Sequence, residues 1–311
     1  MKQAFFRGDS LTIDNPAYRQ SVLALTDALL QDDLSGGDLT DVAMDLKPTR
    51  VSASVIARDA GIIAGLQEFA LLYRVRGVDV VLEKRDGDPI RPGDTVILAQ
   101  GEQTKLLALE RVGLNLLQRL SGIASASHCV QERVTASGSA TRIVGTRKTP
   151  WGFLDKRALH LGGVGTHRLS LGDAILIKNN HLALLANREE HAAPLAIEKV
   201  WELRGKAAFI EVEVRSESAA RAAAATYRRL LEQLGEEYPC VLMLDNMSPV
   251  QISAVLDMLR RENLWDYALV EASGGISEAN AVEYAASGVD AISIGALTHS
   301  VRALDLSQKI S

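Results

Sequence analysis

The residues best suited to chemistry are basic, and they follow short β-rich runs. Arg147 and Lys148 come after TRIVGT (141–146), His167 and Arg168 close GGVGTHR (162–168), and Lys178 comes directly after DAILI (173–177). A single loop Lys or Arg is ordinarily a solvated charge. Several at one mouth repel one another unless an anion neutralises them. Arg offers a planar fork to carboxylates and phosphates, and Lys a compact charge. The expected ligand therefore carries several negative charges. Arg111 stands earlier, on a predicted helix, where a surface Glu110–Arg111 pair is the competing reading.

Glu213 ends AFIEVEV (208–214), and Asp245 ends CVLMLD (240–245). Opposed to a cationic site, such acids can bind a divalent ion, accept sugar hydroxyls or stabilise developing positive charge. Alternation along the strand puts Glu211 on the same side as Glu213, so both are candidates to face inward. A structural salt bridge is the plainer alternative. ASGGIS (272–277) and SIGALTHS (293–300) supply glycine turns after the last two β-rich runs, where backbone N–H groups suit a phosphate. Ser273, Gly274, Gly295 and His299 fall there. GGVGTHR reads as a tight turn that brings backbone close to a ligand. His181 and His299 have no second His or Cys at metal-ligand spacing. DGD (86–88) and PGD (92–94) read as hairpin turns rather than metal motifs.

These residues need elements to position them. YRQSVLALTDALLQDDL (18–34) and residues 102–134 carry apolar residues at helical spacing. VSASVIARDAGIIAG (51–65) reads as strand then turn, and residues 79–101 as short strands joined by turns. From residue 141, β-rich runs alternate with Ala-, Leu- and Glu-rich stretches at roughly thirty-residue spacing, which implies βα units and a parallel sheet. Charge and glycine gather at the C-terminal ends of successive runs, the place where (β/α) barrels build their sites. That favours a barrel over a doubly wound sheet.

At 311 residues the chain has room for two domains, and 47% hydrophobic against 23% charged residues is ordinary for a globular protein. A net charge of −5 argues against nucleic acid and anionic membranes as partners. Cys129 and Cys240 are too few for a disulfide framework and are expected as buried free thiols. The start MKQAFFRGDS lacks an apolar targeting core, and no run reaches membrane-span length, so a cytoplasmic location is expected.

Taken together, GDLT (37–40), IARDAGIIAG (56–65), LLALERVGLNLLQRLSGIAS (106–125), GTRKT (145–149), GGVGTHRLSLGDAILIKNNH (162–181), IEVEV (210–214), MLDN (243–246), VEASGGIS (270–277) and GVDAISIGALTHS (288–300) resemble the quinolinate phosphoribosyltransferase family. The resemblance implies an α/β fold with an N-terminal α/β sandwich domain (1–122, with 301–311 returning to it). An incomplete, TIM-like α/β barrel (123–300) would follow. It also implies quinolinate and phosphoribosyl pyrophosphate as substrates, magnesium as cofactor, and a homodimer or larger assembly with shared sites. On that match Arg111 reaches into a partner's site. Arg147, Lys148, His167, Arg168 and Lys178 surround the carboxylates and pyrophosphate. Glu213 and Asp245 meet the ribose hydroxyls and magnesium, and Ser273, Gly274, Gly295 and His299 hold the 5-phosphate. Lys148, Lys178, Glu213 and Asp245 are the catalytic candidates.

Two departures stand out. The family's PG-x-R stretch after TRKT is replaced by a shorter TPWGFLDKR, without its arginine, and Lys156 or Arg157 are the candidates to stand in for it. Extra length at 225–240 is expected on a barrel helix away from the mouth. The competing functions are a paralogue of the same fold, of the molybdenum-transport-associated type, with another acceptor, and a non-catalytic binding protein. The pairs Arg147-Lys148 and His167-Arg168 favour quinolinate over the first. Glu213, Asp245 and Lys178 argue against the second, because unpaired buried charge is costly to keep.

Overall fold

A computed structural model describes residues 2–45 and 47–311. The chain divides into two compact units, one of residues 8–128, 149–163 and 297–311, the other of 1–7, 129–148 and 164–296.

In the first unit, α1 (Pro16–Leu34) starts where the Asn15 side chain accepts the Ala17 N–H, with Pro16 opening the helix. α2 (Leu39–Met44) is capped by Asp38. β1 (Arg50–Ala57), β2 (Gly61–Ile62), α3 (Leu66–Arg74), β3 (Asp79–Leu82), β4 (Pro89–Ile90) and β5 (Thr95–Glu102) lead into the long α4 (Gln103–Ala136), and α5 is Phe153–Leu161. β1, β3 and β5 join the C-terminal strand Leu306–Ile310 in an antiparallel sheet, with β1 between that strand and β5. The DGD and PGD segments are turns. Gly87 and Gly93 take φ of +91° and +95°, and Asp88 and Asp94 accept the N–H groups of Arg85 and Arg91. Asp86 instead caps α3 through the Leu66 N–H at 2.9 Å.

The second unit is the parallel layer. β6 (Arg142–Val144), β7 (Ile175–Ile177), β8 (Ile210–Val214), β9 (Cys240–Asp245), β10 (Leu269–Ser273) and β11 (Ala291–Ser293) form one sheet in the order β6-β11-β10-β9-β8-β7. Each strand from β7 to β11 lies beside its successor and β6 lies beside β11, so the sheet curls into an incomplete barrel whose seam falls between β6 and β7. The seam is partly filled. Gly165 bridges in parallel to Val144, and the Phe5 carbonyl accepts the His167 N–H at 3.0 Å. α6 (Asn179–Ala183), α7 (Glu189–Trp201), α8 (Glu217–Leu234), α9 (Pro249–Arg261) and α10 (Ala281–Ala285) follow successive strands.

Local sequence sets these joints. Ser248 and Gln251 form a reciprocal capping box that starts α9 soon after β9, and Ser216 caps α8 after β8. Gly235 in the left-handed conformation ends α8. The stretch 225–240 thus runs along α8 and into the start of β9, the end opposite Asp245. The interior cluster of Phe5, Val144, Ala174, Phe209, Val241, Leu269 and Ala291 is buried, and full burial of each larger side chain contributes roughly 1.5–3 kcal/mol.

Candidate active site

A cavity of about 290 Å³ opens at the C-terminal ends of the parallel strands. Gly145, Thr146, Arg147 and Lys148 line it after β6, and His167 and Arg168 line it from the seam. Leu176 and Lys178 come from β7 and its end, Glu213 from β8, and Met243 and Asp245 from β9. Glu271 and Ser273 of β10 and Ser293 of β11 complete it. Eight residues singled out in the sequence are therefore brought together: Arg147, Lys148, His167, Arg168, Lys178, Glu213, Asp245 and Ser273. They meet because parallel strands present equivalent ends to one side.

The turns around the mouth are tight. Gly274 has φ +91°, and a Cβ there would lie 2.5 Å from the Asn246 side-chain oxygen, so only glycine fits between the β9 and β10 ends. Asn246 itself, at φ +55°, donates its backbone N–H to the Ser273 carbonyl and its amide to Asp245 Oδ2 at 2.9 Å. Gly295 follows β11 in the same unit.

Charge is unevenly shared. Burial, and then the neighbouring Arg147, press Arg168 below the ordinary arginine range, which marks cations crowded more than they prefer. Across the cavity, burial and the charge of Asp245 push the Glu213 carboxyl up. An anion near Arg147 and Arg168 and a cation near Glu213 and Asp245 would each relieve that crowding.

Beneath the mouth lies a buried triad. His167 Nε2 stands 3.1 Å from Glu211 Oε2 and 3.2 Å from Glu271 Oε2, and both carboxylates have no exposed surface. Phe5 stacks on the ring at 5.3 Å and Phe209 meets it edge-on. Burial opposes charge on the ring, whereas the two carboxylates hold its pKa up, to about 10. The Arg168 N–H lies 2.8 Å from Nδ1 and favours a ring protonated on Nε2 alone. With its lone pair engaged by that N–H, Nδ1 carries no proton, and the ring presents an Nε2–H to the two carboxylates. These three side chains bring potential metal-ligating atoms within 4.8 Å of one another. Alternation had set Glu211 beside Glu213 as an inward candidate, and the structure separates them by depth: Glu211 in the buried triad, Glu213 at the rim. Glu271 went unremarked in the sequence, although it precedes Ser273 by two residues and so shares its face.

GGVGTHR brings backbone close to protein, since a Cβ on Gly165 would lie 2.7 Å from Val144 Cγ1 and 3.1 Å from the Phe5 carbonyl, and its His167 and Arg168 line the cavity. Other expectations are corrected. Cys129 is exposed on α4 while Cys240 is buried. Ser127 and Val130 take the inward positions of that turn, and Cys129 falls outside them. Neither candidate for the missing loop arginine is a free cation, as Lys156 is 1% exposed and Arg157 lies close enough to Glu68 and Asp86 to act on their ionisation. His181 is taken up by α6, its Nδ1 accepting the Lys178 N–H at 2.9 Å. Arg111 and His299 belong to the other compact unit. Arg111 is exposed there and borders a hollow with Asn115 and Trp151. His299 ends the short helix α11 (Ala296–His299), with Nδ1 2.7 Å from Ser300 Oγ.

The fold and site define an α/β-barrel protein whose mouth carries cations from β6, the seam and β7 and carboxylates from β8 and β9. Comparison with known proteins makes the assignment specific. Residues 38–121 match the N-terminal domain, and residues 123–309 the C-terminal domain, of quinolinate phosphoribosyl transferase. The chain belongs to that family. It is 36% identical over 285 residues, covering 91% of this chain and 96% of the relative, to a probable nicotinate-nucleotide pyrophosphorylase (carboxylating) of Methanothermobacter thermautotrophicus. It is 35% identical to the nicotinate-nucleotide pyrophosphorylase (carboxylating) of Mycobacterium leprae, covering 90% of this chain and 93% of that one. The solved nicotinate-nucleotide pyrophosphorylase from Francisella tularensis superposes with a TM-score of 0.78 at 27% identity, covering 94% of this chain and 96% of that one.

Proposed function

We propose that this chain is an enzyme that transfers the phosphoribosyl group of phosphoribosyl pyrophosphate to quinolinate, giving nicotinate mononucleotide, pyrophosphate and carbon dioxide in NAD biosynthesis. The observation that carries this is the single cavity at the strand ends. It sets Arg147, Lys148, Arg168 and Lys178 against Glu213 and Asp245, within a chain of this family.

The residues act by charge and position. Arg147 and Arg168 offer forks, and Lys148 a compact charge, to the two carboxylates of quinolinate, with His167 at the cavity floor. They hold the pyridine nitrogen toward C1 of the ribose. The C–O bond to pyrophosphate breaks as the new N–C bond forms, and the sugar passes through an oxocarbenium-like state. Glu213 and Asp245 face the ribose hydroxyls and offset the positive charge developing on the ring, while Lys178 receives the departing pyrophosphate. The carboxylate beside the nitrogen then leaves as carbon dioxide, its electron pair staying on the ring carbon next to the new pyridinium nitrogen, and that carbon takes up a proton from solvent. No covalent nucleophile is needed, and orientation supplies much of the rate. Ser273, Gly274 and Gly295, with His299, are assigned to the 5-phosphate.

Glu213 and Asp245 suit magnesium, because their oxygens are hard donors and the burial and mutual charge that push Glu213 up would be offset by a divalent cation. Magnesium, when bound, supplies positive charge to the pyrophosphate as it departs. We also assign the working form to a homodimer, in which the exposed Arg111 serves the partner's site. Calorimetric titration tests the acid pair. Phosphoribosyl pyrophosphate should bind the unaltered chain at least about tenfold tighter with magnesium than without, a difference of roughly 1.4 kcal/mol. Glu213→Gln and Asp245→Asn should shrink that difference and leave quinolinate binding in place. An unchanged magnesium effect in both variants would overturn the assignment.

A further inference from the structure

Three segments of one compact unit meet at a single guanidinium. Arg119, on α4, donates Nε to Asp155 Oδ1 at 2.9 Å, and Nη2 both to Asp155 Oδ2 and to the Thr298 carbonyl at 2.8 Å each. The Asp155 side chain has no exposed surface. It also accepts the Thr149 hydroxyl, and Thr149 Oγ1 in turn accepts the Gly152 N–H at 3.1 Å. The Trp151 ring lies against the guanidinium, 5.1 Å from centroid to Cζ. A two-pronged Arg–carboxylate pair with one partner fully buried fixes direction as well as distance.

The sequence neighbours of these contacts give the arrangement its meaning. Thr149 directly follows Lys148, Thr298 directly precedes His299, and Arg111 lies roughly two turns before Arg119 on the same helix. Each arm of the knot therefore ends next to a residue assigned above to a substrate. The knot also includes Thr149, Trp151 and Gly152 of TPWGF, the stretch that is shorter here than in the family pattern.

We propose that Arg119 is a positioning residue that sets the placement of Lys148 through Asp155 and Thr149, and of His299 through the Thr298 carbonyl, so that both substrates are bound through it. The inference rests on the proposed reading of Lys148 and His299. Arg119 touches neither substrate. A purely structural pair would affect stability and leave substrate affinity alone.

Arg119→Lys keeps the charge but not the fork. It is expected to raise KM for quinolinate and for phosphoribosyl pyrophosphate by about tenfold each, with kcat changed by less than about threefold. Thr149→Val removes only the hydroxyl arm and is expected to raise KM for quinolinate at least about threefold more than KM for phosphoribosyl pyrophosphate. Should Arg119→Lys fail to fold, as judged by circular dichroism, the KM split of Thr149→Val decides the matter. Folded variants with both KM values within about twofold of the unaltered chain would overturn the proposal, even if their melting temperatures fell. Absence of product from the unaltered chain would instead overturn the proposed function, so the two failures are told apart.

Discussion

Glu68 has no exposed surface. Tyr18 donates to its Oε1 at 2.7 Å, and Oε2 has no hydrogen-bond partner. Burial, reinforced by the charge of Asp86, raises its pKa from 4.5 to about 7. An acid whose folded pKa lies above its unfolded one contributes its full stability below the unfolded value, and loses it as pH rises through the folded value. The window here is therefore about pH 4.5 to 7. Glu68→Gln keeps an acceptor for Tyr18 and removes the titration. It should change stability little at pH 4 and gain on the order of 1–3 kcal/mol at pH 8. Urea unfolding at the two pH values checks this, and an equal effect at both would contradict it. At this scale the sequence was informative where a residue's role depends on its place along a strand. Lys178, Glu213, Asp245 and Ser273 could be named because strand ends announce themselves. Glu271 and the depth of Glu211 could not, because they depend on His167 arriving from a distant turn. The exposure of Cys129 was missed because one residue either way along a helix changes the face it occupies.

At the scale of elements, α4 shows what close packing demands. A Cβ on Gly122 would lie 2.2 Å from the Arg302 carbonyl and 3.1 Å from the Ala303 Cα, and backbone cannot swing aside as a side chain can. Alanine is the better helix former by about 1 kcal/mol, yet Gly122→Ala should destabilise by roughly 1–3 kcal/mol because the helix must move away from that backbone. Scanning calorimetry reads this directly, and an unchanged or raised melting temperature would contradict the packing. Most elements were legible from periodicity. The helical spacing at 102–134 became Gln103–Ala136, and CVLMLD became a strand over the same residues. The parallel bridge at Gly165 was not legible. GGVG carries no alternation, and it pairs with Val144 and its neighbours at the edge of the sheet rather than along a strand of its own. The fate of Arg157 was hidden because the acids it acts on belong to α3 and the turn before β4, distant in sequence.

For the whole molecule, the alternation of β-rich and helical runs identified a parallel α/β architecture, and the resemblance supplied the sandwich domain and the incomplete barrel. Strand order could not be read from the alternation alone, because it depends on which edges close and where the seam is left. Among the described residues, no helix is long and apolar enough to cross a membrane. The proposed assembly makes a prediction at this scale. If Arg111 serves the partner's site, mixing inactive Arg111→Ala with inactive Lys178→Ala protein should restore activity through heterodimers that carry one intact site. With random exchange, about a quarter of the sites would work, since site composition follows subunit statistics. No recovery, with subunit exchange shown by mass spectrometry, would place Arg111 outside the shared site.

The central claim is the reaction itself, and product formation tests it most directly. The purified chain is incubated with quinolinate and phosphoribosyl pyrophosphate, with and without magnesium, and nicotinate mononucleotide and carbon dioxide are measured together. The account predicts equal amounts of both products, dependence on magnesium, and a loss of at least about a thousandfold in Lys178→Ala, on the scale of removing a charge-stabilising group from a transition state. Folded protein that binds phosphoribosyl pyrophosphate but makes no nicotinate mononucleotide would contradict it and point to a different acceptor at the Arg147 and Arg168 wall.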